Sequence, residues 1–229
     1  MRFTILAAEW NAKLVALAKV MNSKVALPIY STFLLELKDG VLRITASDMD
    51  CSRCSTLPVM DMDRANEHNG SLCVTASFLL DSLKNLGDQP VTFEADEENL
   101  SVVIRYNNGQ FDMVGFPAKD YALPGTMGKS VQVTIEASVL NDSIGKSLYA
   151  VGNDDLRPIF SGIYFTKKGD ELQCATTNGS MLVRNTYKVE NDGQEYSFLL
   201  HSRAAKIVRS MTSKSDEKVQ VFITEREVA

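Results

Sequence analysis

Histidine and cysteine are scarce in this chain, and the familiar catalytic motifs are missing. His68 and His201 are the only two histidines among 229 residues, and neither stands in a known catalytic spacing with a thiol or carboxylate. No Gly-x-Ser-x-Gly, Walker loop or Gly-x-Gly-x-x-Gly occurs, so hydrolase and dinucleotide-enzyme readings have no motif to stand on. The four cysteines are Cys51, Cys54, Cys73 and Cys174. A tetrahedral zinc site would need a second pair beside Cys51-x-x-Cys54, and none exists. The stretch 51–59 reads as strand, where positions three apart face opposite ways. Buried or half-buried free thiols in a reducing compartment are expected. No apolar run approaches transmembrane length and no charged-then-apolar leader opens the chain, which reads as cytosolic. Asp48 and Asp50, with Asp61 and Asp63, could be offered to a metal, but strand-end and loop solvation is the simpler use of them. No metal, cofactor or catalytic activity is expected.

What is present is a duplication. Residues 28–48 return at 158–178 with a constant shift of 130, setting Pro28 on Pro158, Ile29 on Ile159, Tyr30 on Phe160 and Ser31 on Ser161. The same shift sets Leu42 on Leu172, and Phe3-Thr4-Ile5 on Val133-Thr134-Ile135. A period this long marks duplicated domains and not a solenoid unit.

Periodicity gives the order within each copy. Copy one reads as strand 2–6, helix 8–20 and strands near 31–37, 41–47 and 52–59, with Asp39-Gly40 as a hairpin turn. The pattern then repeats: strand 71–75, helix 77–85 and strands 90–95, 99–105 and 109–115, with Asn108-Gly109 as the last turn. Residues 60–70 read as a loop. The segment 117–129 has two prolines and two glycines and reads as a linker. Copy two gives strand 131–135, helix 137–148, strands 160–166, 171–177 and 181–188, strand 196–200, helix 202–211 and strand 218–223. Counterparts of strands 99–105 and 109–115 have no residues left to form them. The expected division is domain I at 1–118, a linker at 119–129, and domain II at 130–229 without its last two strands.

Charge is unevenly distributed. The chain carries −5, yet its four helices hold Lys13, Lys19, Lys84, Lys146, Arg203, Lys206 and Arg209 against Glu9, Asp81 and Asp142, a surplus of +4. In 202–211, Ala204, Ile207, Val208 and Met211 fall on one side and Arg203, Lys206 and Arg209 on the other. Such a stripe is either a solvated helix face or a phosphate-facing surface whose contacts are sequence-independent and salt-sensitive.

Taken together, several short stretches resemble the bacterial DNA polymerase III beta subunit (sliding clamp) family. They are Met1-Arg2-Phe3-Thr4-Ile5 ahead of an apolar helix, Leu27-Pro28-Ile29, Val41 through Asp48, Leu156-Arg157-Pro158-Ile159 and Ser161-Gly162-Ile163. The resemblance covers the first domain and most of the second. It implies an α+β DNA-clamp fold: tandem domains of duplicated strand–helix–three-strand units, helices on the pore side and antiparallel sheets outside. It further implies a cytoplasmic, non-catalytic processivity factor that encircles duplex DNA and tethers DNA polymerase III. The partners implied are duplex DNA, and the polymerase and clamp loader through short peptide motifs, with ring closure by self-association of the full-length form.

On this reading Lys24, Lys13, Lys84, Lys146, Arg203, Lys206 and Arg209 are candidate DNA-facing residues. Lys24 matches a basic family position, and the others follow from helix faces. Phe160, Thr177, Gly179 and Leu182 match a peptide-binding pocket, although Ser180 and Met181 stand where the family has His and Arg. Phe111 and Met113 match the edge that meets a partner's third domain, a domain this sequence does not contain. A clamp-fold module that binds protein partners without closing a ring is the alternative.

Overall fold

Alternation of apolar and polar residues produces the strands, and 3.6-residue spacing the helices. The computed structural model describes residues 1–21, 27–48, 50–60, 69–123, 128–153, 156–213 and 217–229. The chain divides into two compact units, Met1–Gly125 and Thr126–Ala229.

Unit 1 runs β1 (Arg2–Leu6), α1 (Ala7–Ala18), a 3-10 turn at Pro28–Ser31, β2 (Thr32–Lys38), β3 (Val41–Ser47) and β4 (Ser52–Pro58). The same order follows as β5 (Gly70–Thr75), α2 (Ala76–Leu83), β6 (Pro90–Ala95), β7 (Ser101–Tyr106) and β8 (Gly109–Val114), and then a short β9 (Phe116–Pro117). Two antiparallel sheets result, ordered β1-β6-β7-β8 and β4-β3-β2-β5-β9. The first strand of each half thus joins the other half's sheet, with Thr4 opposite Thr92 and Leu34 opposite Cys73.

One core gathers the inner faces of both sheets and both helices. Phe3 stacks on Phe93 at 4.9 Å, and Trp10 stands edge-on to each at 5.4 and 5.8 Å. Trp10, Leu14 and Leu17 of α1 are fully buried, as the helical spacing predicts.

Unit 2 repeats the plan: β10 (Val131–Glu136), α3 (Ala137–Ser147), a 3-10 turn at Pro158–Ser161, β11 (Gly162–Lys168), β12 (Glu171–Thr177), β13 (Leu182–Lys188), β14 (Tyr196–His201), α4 (Ser202–Thr212) and β15 (Lys218–Ile223). Its sheets are β13-β12-β11-β14 and β10-β15. The second sheet has no described counterparts of β7 and β8. Val228 makes one bridge to Ile223, and Ala229 exchanges backbone bonds with Phe222 at 2.7 and 2.9 Å. Phe165 and Phe198 stack at 4.9 Å in the smaller core. Lys167 is buried on the inner side of β11. Its ammonium is held by the Asp192 carboxylate and by the Gln194 carbonyl at 3.1 Å.

The turns differ in one place from the sequence expectation. Asp39 and Gly40 both have positive φ, 51° and 74°, as a type I′ hairpin requires. The last hairpin of unit 1 turns on Asn107-Asn108, because Gly109 already pairs with Tyr106. A Cβ on Gly109 would lie 2.9 Å from the Tyr106 hydroxyl, so the glycine makes room for that ring. The segment read as a linker begins inside unit 1: Pro117 pairs with Leu72, and Tyr121 is buried edge-on to Tyr30 at 5.6 Å. The loop 60–70 lies mostly outside the described residues.

Phe3→Ala removes the ring between Phe93 and Trp10 and is expected to cost about 3–5 kcal/mol. Trp10, the single tryptophan, reports on this core. Its fluorescence should therefore unfold at lower urea in the variant, and an unshifted transition would contradict the packing described.

Candidate nucleic-acid interface

Each helix buries one side and leaves its basic residues on the other. Lys13 is exposed on α1, at the flank of the face that buries Trp10, Leu14 and Leu17. Lys84 caps the C-terminal end of α2, its backbone N–H donating to the Leu80 carbonyl at 3.1 Å. Cations at that end of a helix are favoured by its dipole. Lys24 lies outside the described residues.

Two of the lysines are neutralised by their own helices. Lys84 pairs with Asp81 at 2.8 Å and Lys146 with Asp142 at 2.6 Å, one turn earlier in each case. Tyr187 of β13 donates its hydroxyl to the same Asp142 carboxylate at 2.8 Å, and its ring centroid lies 5.8 Å from the Lys146 ammonium. The bonds from Lys146 and Tyr187 hold Asp142 below the usual carboxylate range. Burial, together with the bond to Asp142, pushes the Tyr187 phenol up.

The face of α4 is rotated from the sequence expectation. Its buried residues are Ala205 and Thr212, with Ala204 and Val208 packed on the core, whereas Met211 is 52% exposed. The reason is α3. Asn141 donates its side-chain amide to the Arg209 carbonyl at 2.9 Å and to the Thr212 hydroxyl at 3.3 Å. The Arg209 guanidinium lies across Gly145, where a Cβ would sit 3.1 Å from its nearest nitrogen. Small residues at that crossing let α4 approach α3 along its Ala205–Thr212 edge. Arg203 is half-buried, and Lys206 and Arg209 are exposed. Lys13, Lys19, Lys206 and Arg209 form no ion pair among the described residues, so their charges are not neutralised as those of Lys84 and Lys146 are. Asn141 and Gly145 were missed in the sequence. Their i, i+4 spacing on one side of α3 was the available signal.

A second group collects at one end of unit 2. Phe160 packs against Gly152, and its ring edge lies 4.0 Å from where a Cβ on Gly179 would stand. Gly179 has φ +91°, which favours glycine. Thr177 donates its hydroxyl to the Met181 carbonyl at 2.6 Å, and Asn178 accepts from the Ser180 and Met181 amides. The Arg157 guanidinium stands 4.8 Å over the Phe160 ring. Leu182 opens β13 and is 73% exposed, with Leu156 and Ile159 also exposed. The structure thus brings Phe160 to the Thr177–Gly179 turn and leaves Leu182 in solvent.

Phe111 and Met113 lie on β8, at one end of its sheet, but their side chains turn inward and pack on the core of unit 1. Phe111 meets Tyr106 at 5.0 Å and Phe78 at 6.5 Å. Outward-facing Val114, on the same strand, is 69% exposed.

Nothing catalytic assembles among the described residues, and they hold no cluster of three or more potential metal ligands. Asp48 accepts the Cys51 amide at 2.9 Å, within its own hairpin. Asp61, Asp63 and His68 lie outside the described residues. All four cysteines are free, and Cys54 is exposed, contrary to expectation, because β4 is an edge strand whose outer side nothing described covers. Burial pushes the Cys73 and Cys174 thiols up to about 12. No described helix is long and apolar enough to cross a membrane.

Comparison with known proteins covers the whole chain. The family model for the N-terminal domain of the DNA polymerase III beta subunit matches residues 1–124, and that for its central domain matches 134–229. The beta sliding clamp of Staphylococcus epidermidis is 22% identical over all of this chain and 61% of its own length. A DNA polymerase sliding clamp of Bacillus subtilis superimposes with a TM-score of 0.90 at 22% identity, over 100% of this chain and 61% of that one. A DNA polymerase III beta subunit of Thermotoga maritima gives 0.84 at 21%, over 99% and 60%. The fold is that of tandem clamp domains. The chain spans 61% of the length of the curated relatives it matches.

Asp142 supplies a test of the helix-surface network. A depressed carboxylate stabilises fully above its unfolded value of about 4, and that contribution is lost as pH falls through the lower folded value. Asp142→Asn should therefore flatten the acid limb of urea stability below about pH 4 when followed by circular dichroism. An acid limb identical to wild type would remove Asp142 from the network.

Proposed function

The chain belongs to the DNA polymerase III beta subunit family, and from that premise we propose that it is a sliding-clamp subunit, a processivity factor that holds DNA polymerase III on duplex DNA by encircling it. The observation that carries the reading is the match of two successive clamp domains, in order, along the chain. In this reading it is a cytoplasmic accessory subunit without catalysis of its own. Self-association in the full-length form closes the ring, with the β8 edge carrying Phe111 and Met113 at one joint.

The proposed DNA contacts are Lys13, Lys24, Lys84, Lys146, Arg203, Lys206 and Arg209. A ring must slide, so weak contacts to phosphate suit it better than base readout. Lys84 and Lys146, already paired with carboxylates, add little net charge, and the burden falls on Lys13, Lys206 and Arg209. The proposed site for the short peptide motifs of the polymerase and clamp loader is formed by Phe160, Thr177, Gly179 and Leu182. Met181 and Ser180 make its rim less basic than the family's.

A second reading is a clamp-fold module that binds protein partners without a closed ring. The exposure of Leu156, Ile159 and Leu182 favours it. Retention on circular duplex DNA separates the two. The full-length product, loaded onto a circle, should stay bound and should be released when the circle is cut. Equal retention on both forms, or none on either, would defeat the clamp reading. Lys206→Ala with Arg209→Ala should reduce the slope of log K against log salt by about 2, and an unchanged slope would remove α4 from the DNA surface.

A further inference from the structure

Three Asn-Gly pairs occur in the chain: Asn69-Gly70, Asn108-Gly109 and Asn178-Gly179. Asparagine is thermolabile, and a following glycine exposes it most, because no Cβ hinders the glycine nitrogen as it approaches the asparagine Cγ. The fold treats the three pairs differently. Asn108 lies in the two-residue turn before β8, where no hydrogen bond engages its side chain among the described residues, and Gly109 is paired with Tyr106. Asn69 accepts one long bond, from the Asp39 amide at 3.3 Å, and Gly70 is paired with Leu37.

Asn178-Gly179 is arranged for reaction. The Asn178 Oδ1 accepts two backbone N–H groups, from Ser180 at 3.0 Å and Met181 at 2.8 Å. Two donors on one carbonyl oxygen polarise Cγ and favour the negative charge that develops there when a nucleophile adds. The nucleophile is the Gly179 nitrogen. Its N–H donates to the Thr177 Oγ1 at 3.1 Å, and that hydroxyl donates in turn to the Met181 carbonyl at 2.6 Å. The proton that the nitrogen must lose therefore already has an acceptor. Gly179 is exposed, so water reaches the turn.

The internal repeat shows that the product fits. The shift of 130 sets Ser47, Asp48 and Cys51 on Thr177, Asn178 and Met181. The bonds recur one for one. Ser47 donates its hydroxyl to the Cys51 carbonyl at 3.2 Å, the Asp48 amide donates to the same carbonyl at 3.1 Å, and the Asp48 carboxylate accepts the Cys51 amide at 2.9 Å. In unit 2 the Asn178 amide donates to the Met181 carbonyl at 3.4 Å. Unit 1 thus builds the same turn on an aspartate, and it has Met49 where unit 2 has Gly179. A carboxylate at position 178 keeps every acceptor role that Asn178 plays.

We propose that Asn178 is a self-modification site, deamidated by the chain's own turn with water as the only co-reactant. The Gly179 nitrogen bonds to the Asn178 Cγ, the Cγ–Nδ2 bond breaks, and the amide leaves as ammonia with the proton from Gly179. Water then opens the cyclic imide at either carbonyl, giving aspartate or isoaspartate. The product places a negative charge at the end of unit 2 that holds Phe160, whose ring edge lies 4.0 Å from where a Cβ on Gly179 would stand, and Arg157 above it. The proposal rests on the geometry of the turn and is tested without DNA or a partner, so its failure leaves the sliding-clamp reading standing.

Peptide mapping of the 229-residue chain, aged at neutral pH in buffer and in urea, follows all three asparagines in one sample. Unfolded, they should deamidate at similar rates. Folded, Asn178 should react about tenfold or more faster than Asn108. Thr177→Val removes the proton acceptor and should slow Asn178 by about tenfold or more, whereas Thr177→Ser, which keeps the hydroxyl, should retain the wild-type rate. Asn178→Asp should leave the circular dichroism and the urea midpoint of the chain at their wild-type values. A folded Asn178 no faster than Asn108, a Thr177→Ser chain as slow as a folded Thr177→Val chain, or an Asn178→Asp chain that unfolds at clearly lower urea would each overturn the proposal.

Discussion

Strand β1 is hydrogen-bonded to β6 and β5 to β2, so each half of unit 1 is completed by a strand from the other half. Unit 2 repeats the exchange, with β10 on β15 and β14 on β11. Much else follows from this pairing. It forces both sheets to face one core, because a strand shared between halves cannot move without its helix. It sets α1 beside α2 and α3 beside α4, since each helix begins directly after an exchanged strand. It also explains why the strand–helix–three-strand unit occurs in pairs. A lone copy would leave its first strand without a ladder, and an unpaired buried strand is costly.

The helix pairs inherit their surface from that constraint. Their inner sides are apolar where they meet the core, as at Trp10 and Leu14, and small where α3 and α4 cross, as at Ala205 and Gly145. Charge is left to the outer sides. There the molecule moderates its own positive potential, with Asp81 and Asp142 one turn before Lys84 and Lys146. The remaining cations stand on α1 and α4. In the proposed sliding-clamp reading, such a surface would attract a polyanion without gripping it.

The order of elements was readable from the sequence because it rests on local signals. Asp39-Gly40 fixed a turn, and the shift that sets Pro28 on Pro158 fixed the duplication. The clamp family was readable from short motifs whose order, more than any one of them, was informative. What local pattern could not give was the partner of each face. The orientation of α4 depends on Asn141 and Gly145, some sixty residues away in sequence, which turn Met211 outward. Tyr121 looked like linker because its partner Tyr30 is remote. Gly109 looked like a turn residue, yet it sits in a strand to admit the Tyr106 ring. For α4 and Tyr121 a long-range contact outweighed a correct local propensity, and at Gly109 the space needed by the neighbouring Tyr106 ring did.

The strand exchange has a consequence for synthesis. β1 is synthesised well before its partner β6, which begins only at Pro90, so β1 must wait through α1, the next four described strands and α2 before its ladder can form. During that wait β2 has β3 on one side and nothing on the other until β5 arrives. Unit 2 faces the same delay between β10 and Lys218. Closure of such distant pairs is slow and leaves strand edges bare in the meantime. The nascent chain is therefore a natural client for chaperones, and translation pauses inside 7–90 or 137–217 would prolong the vulnerable interval.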